Sequence, residues 1–168
     1  MKTLYLVRHA KSSWKDNSLK DFDRPLNERG KRDAPFMGKL IREKGINPDI
    51  IISSPAKRAI STAKYFSAEF NKSKKEIIEN NNIYEAGAGQ LIDIINSIAD
   101  NNNSAMLFGH NPGFTMLSNY LADKRIDNIP TCGVVTITFD VDSWKEIEVG
   151  TGKLIEFEYP KKYFGKDD

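Results

Sequence analysis

Short apolar runs alternate along the chain with longer stretches in which apolar residues recur at helical spacing. Leu4-Tyr5-Leu6-Val7, Ile50-Ile51-Ile52 and Ala105-Met106-Leu107-Phe108 are continuous apolar runs of strand length, the pattern of strands covered on both faces in a parallel sheet. Residues 27–44 predict a helix, with Phe36, Met37, Leu40 and Ile41 in helical register and Gly45 as its stop, although Pro35 and Gly38 are discordant with an unbroken helix. Ser53-Ser54-Pro55 predicts a serine N-cap and a proline in the first turn of a second helix, continued by Ile60, Ala63, Tyr65, Phe66 and Phe70. Arg58 then lies in that first turn. Residues 89–100 and 114–122 predict two further helices. Alternating β and α elements argue for a doubly wound α/β fold, a mostly parallel central sheet between helical layers. Residues 134–139 and 154–159 alternate as strands do, separated by turn-forming segments, and would extend the sheet with an edge that can run antiparallel. Residues 1–160 are expected to form one domain and residues 161–168 a frayed polar tail.

Composition narrows the function classes. A chain of 168 residues is long enough to bury roughly 70% of its unfolded surface in one domain. With 25 basic and 23 acidic side chains the net charge is +2, which excludes a general nucleic-acid binder, so any positive field must be local. The lone Cys132 excludes an internal disulfide and, with only two histidines, leaves too few soft ligands for a structural zinc site. The apolar stretch after Lys2 stops at Arg8, too short for a signal peptide or a membrane span, which gives a cytoplasmic protein without membrane contact as the expectation.

The two histidines each follow a predicted strand. Arg8-His9-Ala10 closes the first apolar run, and Gly109-His110-Asn111-Pro112-Gly113 follows the third. Ser54-Pro55-Ala56-Lys57-Arg58-Ala59 follows the second run, and Tyr84-Glu85-Ala86 follows a weaker strand. In an open α/β sheet these segments share the carboxyl edge, where ligands bind. Two arginines, two histidines and a glutamate would converge there, with helix N-termini near Pro55 and Phe114 adding their positive ends. Such a pocket suits a phosphate, held by charge-assisted bonds from two guanidiniums and a protonated imidazole.

These segments resemble the histidine phosphatase superfamily, the phosphoglycerate-mutase-like fold, and within it the small phosphohistidine phosphatases of SixA type. Leu4 to Ala10 is similar to the superfamily's RHG/RHA signature. Arg24-Pro25-Leu26-Asn27-Glu28-Arg29-Gly30 is similar to its RPLxxRG segment, Ser54 to Ala59 to SPxxRA, and Gly109 to Gly113 to the second-histidine segment. The resemblance implies a three-layer sandwich. It makes His9 the nucleophile that accepts the phosphoryl group, with Arg8, Arg58 and His110 holding its oxygens, and it needs neither metal nor cofactor. It puts Glu85 where many members carry the acid that protonates the leaving oxygen, and Ser12 in a loop that often touches phosphate. Arg24, Arg29 and Arg32 are taken as structural. Three readings stand side by side: a phosphatase of phosphohistidine on a protein such as a phosphotransfer domain, a phosphatase of small phosphate esters using Glu85, and a non-catalytic phosphate-recognition module. Lys11, Lys15 and Lys57 near the mouth would suit an acidic protein partner. The oligomeric state is left open.

Overall fold

The computed structural model describes residues 1–165. Its strands are β1 (Lys2–Arg8), β2 (Ile50–Ser53), β3 (Ile77–Glu79), β4 (Ser104–Gly109), β5 (Val134–Phe139) and β6 (Gly152–Glu158). They form one sheet in the order β3-β2-β4-β1-β5-β6. β1, β4, β2 and β3 are mutually parallel, whereas β5 is antiparallel to β1 and β6 antiparallel to β5. The helices are α1 (Glu28–Glu43), α2 (Lys57–Glu69), α3 (Ala88–Asn96), α4 (Gly113–Leu121) and α5 (Lys161–Phe164). Among the described residues no helix is long and apolar enough to cross a membrane.

The unbroken apolar runs have their physical reason in this layering. Leu4 and Leu6 of β1 pack into one layer with Leu91, Ile95, Phe114 and Leu117 of α3 and α4, while Tyr5 and Val7 enter the opposite layer with Met37, Ile41, Phe66 and Phe70. A strand buried on both faces cannot alternate with polar residues. The fold is therefore the expected α/β sandwich, with the antiparallel relation beginning one strand inside the edge.

Local departures from the sequence reading have local causes. α1 runs unbroken through Pro35 and Gly38. Gly38 is where α1 meets α2: a Cβ there would lie 3.2 Å from the Phe66 Cα. The N-cap of α2 is Ala56, without a side-chain cap, because the Ser54 hydroxyl is turned to other partners. α3 stops at Asn96 rather than near residue 100, since the Ser97 hydroxyl binds the Ile94 carbonyl at 2.6 Å and the Asn96 amide is drawn to the Trp144 and Ile147 carbonyls. The expected polar tail is, over Lys161–Phe164, a helical turn docked on α1: Phe164 and Tyr163 lie 4.7 and 5.5 Å from the Phe36 ring, Arg32 stacks on Phe164, and the Tyr163 hydroxyl bonds Glu158. The two aromatic residues outweigh the lysines beside them. Residues 166–168 of that tail lie outside the described residues.

Gly30 fixes the start of α1 against the loop after β1. Its Cβ position is 2.2 Å from the Lys11 carbonyl oxygen, too close for any side chain. Gly30→Ala is expected to cost about 2 kcal/mol by overpacking, read as a lower urea midpoint at unchanged m-value.

Candidate active site

β1 and β4 lie side by side and deliver the two histidines to the same sheet edge. The chain leaving β1 is pinned from both sides. The His9 N–H donates to the Gly109 carbonyl at 3.0 Å, and the buried Cys132 N–H donates to the Arg8 and His9 carbonyls, both at 3.0 Å. One step on, the Ala10 N–H donates to the Thr62 hydroxyl at 3.0 Å, and that hydroxyl donates to the Arg58 carbonyl at 2.7 Å. Thr62 thus joins the loop after β1 to the first turn of α2.

The side chains converge from these ends. His9 Nδ1 donates to the Ala10 carbonyl at 2.8 Å, which leaves Nε2 as the unprotonated ring nitrogen of a neutral imidazole. The two imidazole centroids are 5.3 Å apart. His110 Nε2 is 2.8 Å from the Ser54 Oγ. That oxygen also accepts the Ala56 N–H at 3.2 Å, so Ser54 ties the His110 ring to the start of α2. Arg8 is anchored through Nη1 to the Ile129 carbonyl at 3.0 Å. Five buried nitrogens of the cluster have no hydrogen-bond partner: Arg8 Nε, Arg58 Nε, Arg24 Nε, Arg24 Nη1 and His110 Nδ1. Buried donors are costly to leave unmatched, so a concentration of them beside a bare imidazole nitrogen is a cradle for an oxyanion.

A short 3-10 turn, Asp21–Asp23, closes one side of this cradle. The Asp21 carbonyl accepts from Arg58 Nη1 at 2.7 Å, and its Oδ2 accepts from Arg58 Nη2 at 2.9 Å and from the Tyr84 hydroxyl at 2.6 Å. Oδ1 faces Arg24 Nε at 3.3 Å, an ion-pair contact without hydrogen-bond alignment. Arg24 in turn donates to the Ser12 hydroxyl at 2.9 Å and stacks 3.4 Å over the exposed Trp14 ring. Tyr84 stands edge-on to His110, with centroids 5.5 Å apart.

Electrostatics follow from burial among cations. Desolvation first, then the neighbouring His110, Arg58 and Arg8, outweigh the Ala10 bond and push the His9 imidazole down to about 3. His110 falls to about 4, mainly by burial and then by Arg58 and Arg8, against the opposing charge of Asp21. Both shifts favour the neutral imidazole when no anion is bound. Tyr84 is pushed up to about 12 by burial and by the Asp21 carboxylate it bonds.

Residues 4–112 match the family model of histidine phosphatase superfamily branch 1. The chain belongs to that superfamily. A protein of Mycobacterium tuberculosis is 30% identical over 165 residues, covering 92% of this chain and all of that one. A structure from Agrobacterium tumefaciens, described as a phosphohistidine phosphatase SixA, superposes with a TM-score of 0.78 at 27% identity over 95% of this chain and 99% of that one. The tungstate complex of the protein histidine phosphatase SixA shares the fold, with a TM-score of 0.75 at 17% identity over 92% and 95% of the two chains. The fold is that of the phosphoglycerate-mutase-like group, shared with these SixA structures.

In this histidine phosphatase superfamily member the sequence-predicted residues are distributed unequally. Arg8, His9, Arg58 and His110 come together in the cradle. Ser12 is buried beside them with its hydroxyl engaged by Arg24. Glu85 is exposed, at φ 59°, and among the described residues its carboxylate has no hydrogen bond or ion pair; it reaches the cluster through its field on Tyr84. Asp21 and Tyr84 have no role in the sequence reading, Ser54 figures there only as part of a helix cap, and Arg24, read as structural, reaches the rim. Ser54 and Tyr84 lay inside motifs already singled out. Asp21 lay in a polar stretch without periodicity, and its part depends on a three-residue turn that no pattern announces.

The depressed imidazoles carry a sign for stability. Folded values of about 3 and 4 against an ordinary 6.5 mean that the unfolded chain binds more protons than the folded one, so stability is full above pH 6.5 and falls as pH drops towards 4. Urea midpoints are expected to decline already between about pH 6.5 and 5, above the range of carboxylate titration. A flat profile over that interval would count against neutral, buried imidazoles.

Proposed function

We propose that the protein is a phosphatase that removes the phosphoryl group from phosphohistidine on a protein, through a phosphoenzyme intermediate on His9. The observation that carries this reading is the Nδ1–H bond from His9 to the Ala10 carbonyl, which leaves Nε2 bare among unpartnered buried donors. Nε2 attacks phosphorus as the bond to the donor's nitrogen breaks, and the departing nitrogen keeps the bonding pair. Arg8, Arg58 and His110 then hold the three equatorial oxygens, whose charge is spread rather than localised in such transfers.

The second step regenerates the enzyme. Phosphorylated at Nε2 and still protonated at Nδ1, the His9 ring is cationic and is stabilised by the Ala10 carbonyl. Water attacks phosphorus, inorganic phosphate forms, and His9 departs as the same neutral tautomer it was at the start. Neither step asks for a strong acid, which agrees with the position of Glu85 in solvent and with a Tyr84 hydroxyl bonded to Asp21. An alkyl ester would ask for one. The retained nucleophile and arginines favour turnover over mere recognition of phosphate. The half-buried Lys11 and exposed Lys15 and Lys57 support an acidic protein as the phosphoryl carrier.

Phosphate release from a phosphohistidine-bearing protein domain is expected to exceed release from a panel of small phosphate esters. His9→Ala is expected to lower it on the order of 10³-fold or more while inorganic phosphate still binds. EDTA is expected to leave the rate unchanged. Release mainly from esters would move the assignment to a small-molecule phosphatase, and full activity in His9→Ala would overturn the mechanism.

A further inference from the structure

Asp21 sets a puzzle for an anion site. Its carbonyl and Oδ2 occupy both terminal nitrogens of Arg58, while its side chain is 49% exposed and Oδ1 has only the ion-pair contact with Arg24 Nε at 3.3 Å. One oxygen is committed to Arg58 and Tyr84; the other, beside Arg24 Nε, keeps lone-pair capacity for a further donor. Burial would raise this carboxyl, but the bonds from Tyr84 and Arg58 and the charges of Arg58 and Arg24 outweigh it and keep it ionised. A fixed negative charge at the mouth opposes a phosphate dianion, and opposes still more a phosphate ester that carries a second anionic group. The same charge is an asset when the phosphoryl carrier is itself a hydrogen-bond donor.

Phosphorylated imidazole is such a carrier. With the phosphoryl group on one ring nitrogen, the ring in its imidazolium form bears a proton on the other. The surroundings of Asp21 also suit a flat heterocycle. Phe22 is 36% exposed and stands edge-to-face with Tyr84 at 5.2 Å, and Tyr84 stands edge-to-face with His110 at 5.5 Å.

We propose that Asp21, braced by Tyr84, is the specificity-determining residue of the site: its carboxylate accepts the N–H of the incoming phosphorylated imidazole and so selects phosphohistidine over anionic phosphate esters. This rests on the phosphoenzyme reading above and adds the reason for its substrate class. In the transfer, the His9 Nε2–P bond forms and the P–N bond of the carrier breaks, with the electron pair remaining on the carrier nitrogen. By holding the ring in its imidazolium form, Asp21 lets the carrier depart as neutral imidazole, its distal proton in place. No proton has to be supplied in that step. An ester would depart as an alkoxide, and an ionised Asp21 has no proton to give it.

The experiment compares kcat/KM on a phosphohistidine-bearing protein domain with kcat/KM on 3-phosphoglycerate, for the wild type, Asp21→Asn, Asp21→Glu and Tyr84→Phe. In Asp21→Asn the ratio of the two is expected to fall about tenfold or more, the worth of one charge-assisted hydrogen bond. Asp21→Glu is expected to recover part of it, and Tyr84→Phe to shift it in the same direction by less. Inhibition by inorganic phosphate reports whether the cradle is intact: with the carboxylate neutralised, phosphate is expected to bind at least as tightly as in the wild type. A ratio that stays at the wild-type value, or a proportional loss on both substrates with weakened phosphate inhibition, would overturn the proposal and leave Asp21 as a brace for Arg58. A wild type that never carries phosphate on His9 would overturn the reaction itself, an outcome the ratio does not mimic.

Discussion

The site depends on a single orientation, that of the His9 ring, and one hydrogen bond to the Ala10 carbonyl sets it. An imidazole has two nitrogens of similar basicity, and only a fixed acceptor on one makes the other a dependable nucleophile. The acceptor is the backbone of the next residue, so its position is as good as the backbone itself. That backbone is held by Gly109, Cys132 and Thr62, one partner from each side of the strand end. The parallel sheet, the helix after β2 and the segment before β5 all serve to keep one carbonyl in place.

The second constraint is charge. Arg8, Arg24 and Arg58 are all drawn toward one small volume, and burial first, then the neighbouring like charges, lowers the basicity of Arg8, Arg24, His9 and His110. The imidazoles answer by staying neutral. Asp21 answers by lending a carboxylate to Arg58 and Arg24 from the surface side. An anion arriving in the cradle would meet buried guanidinium donors that have no other partner.

Much of this was legible in the sequence, for identifiable reasons. The apolar runs at Leu4, Ile50 and Ala105 have strand length and alternate with helical stretches, the pattern of strands covered on both faces, and the carboxyl edge of a parallel sheet follows from connectivity. His9, Arg8, Arg58 and His110 sit directly after those strands, so their convergence could be read from order alone. What escaped reading was what depends on tertiary contact. Asp21 reaches Arg58 across 37 residues through a turn with no periodic signal, and Ser54 traded the capping role its type suggests for a bond to His110. Tyr163 and Phe164 look like part of a charged tail until α1 offers Phe36 to receive them.

Thr62 illustrates how little sequence a mechanical connection requires. Its hydroxyl accepts from the loop that carries the nucleophile and donates to the residue that carries the oxyanion clamp. The helix and the strand end are thereby riveted at a single atom. A shift of the helical layer against the sheet is opposed at this point by the bond from the Ala10 N–H to the Thr62 hydroxyl, next to both the nucleophile and the start of the clamp helix. Tolerance to thermal motion is, at this point in the molecule, a property of one threonine.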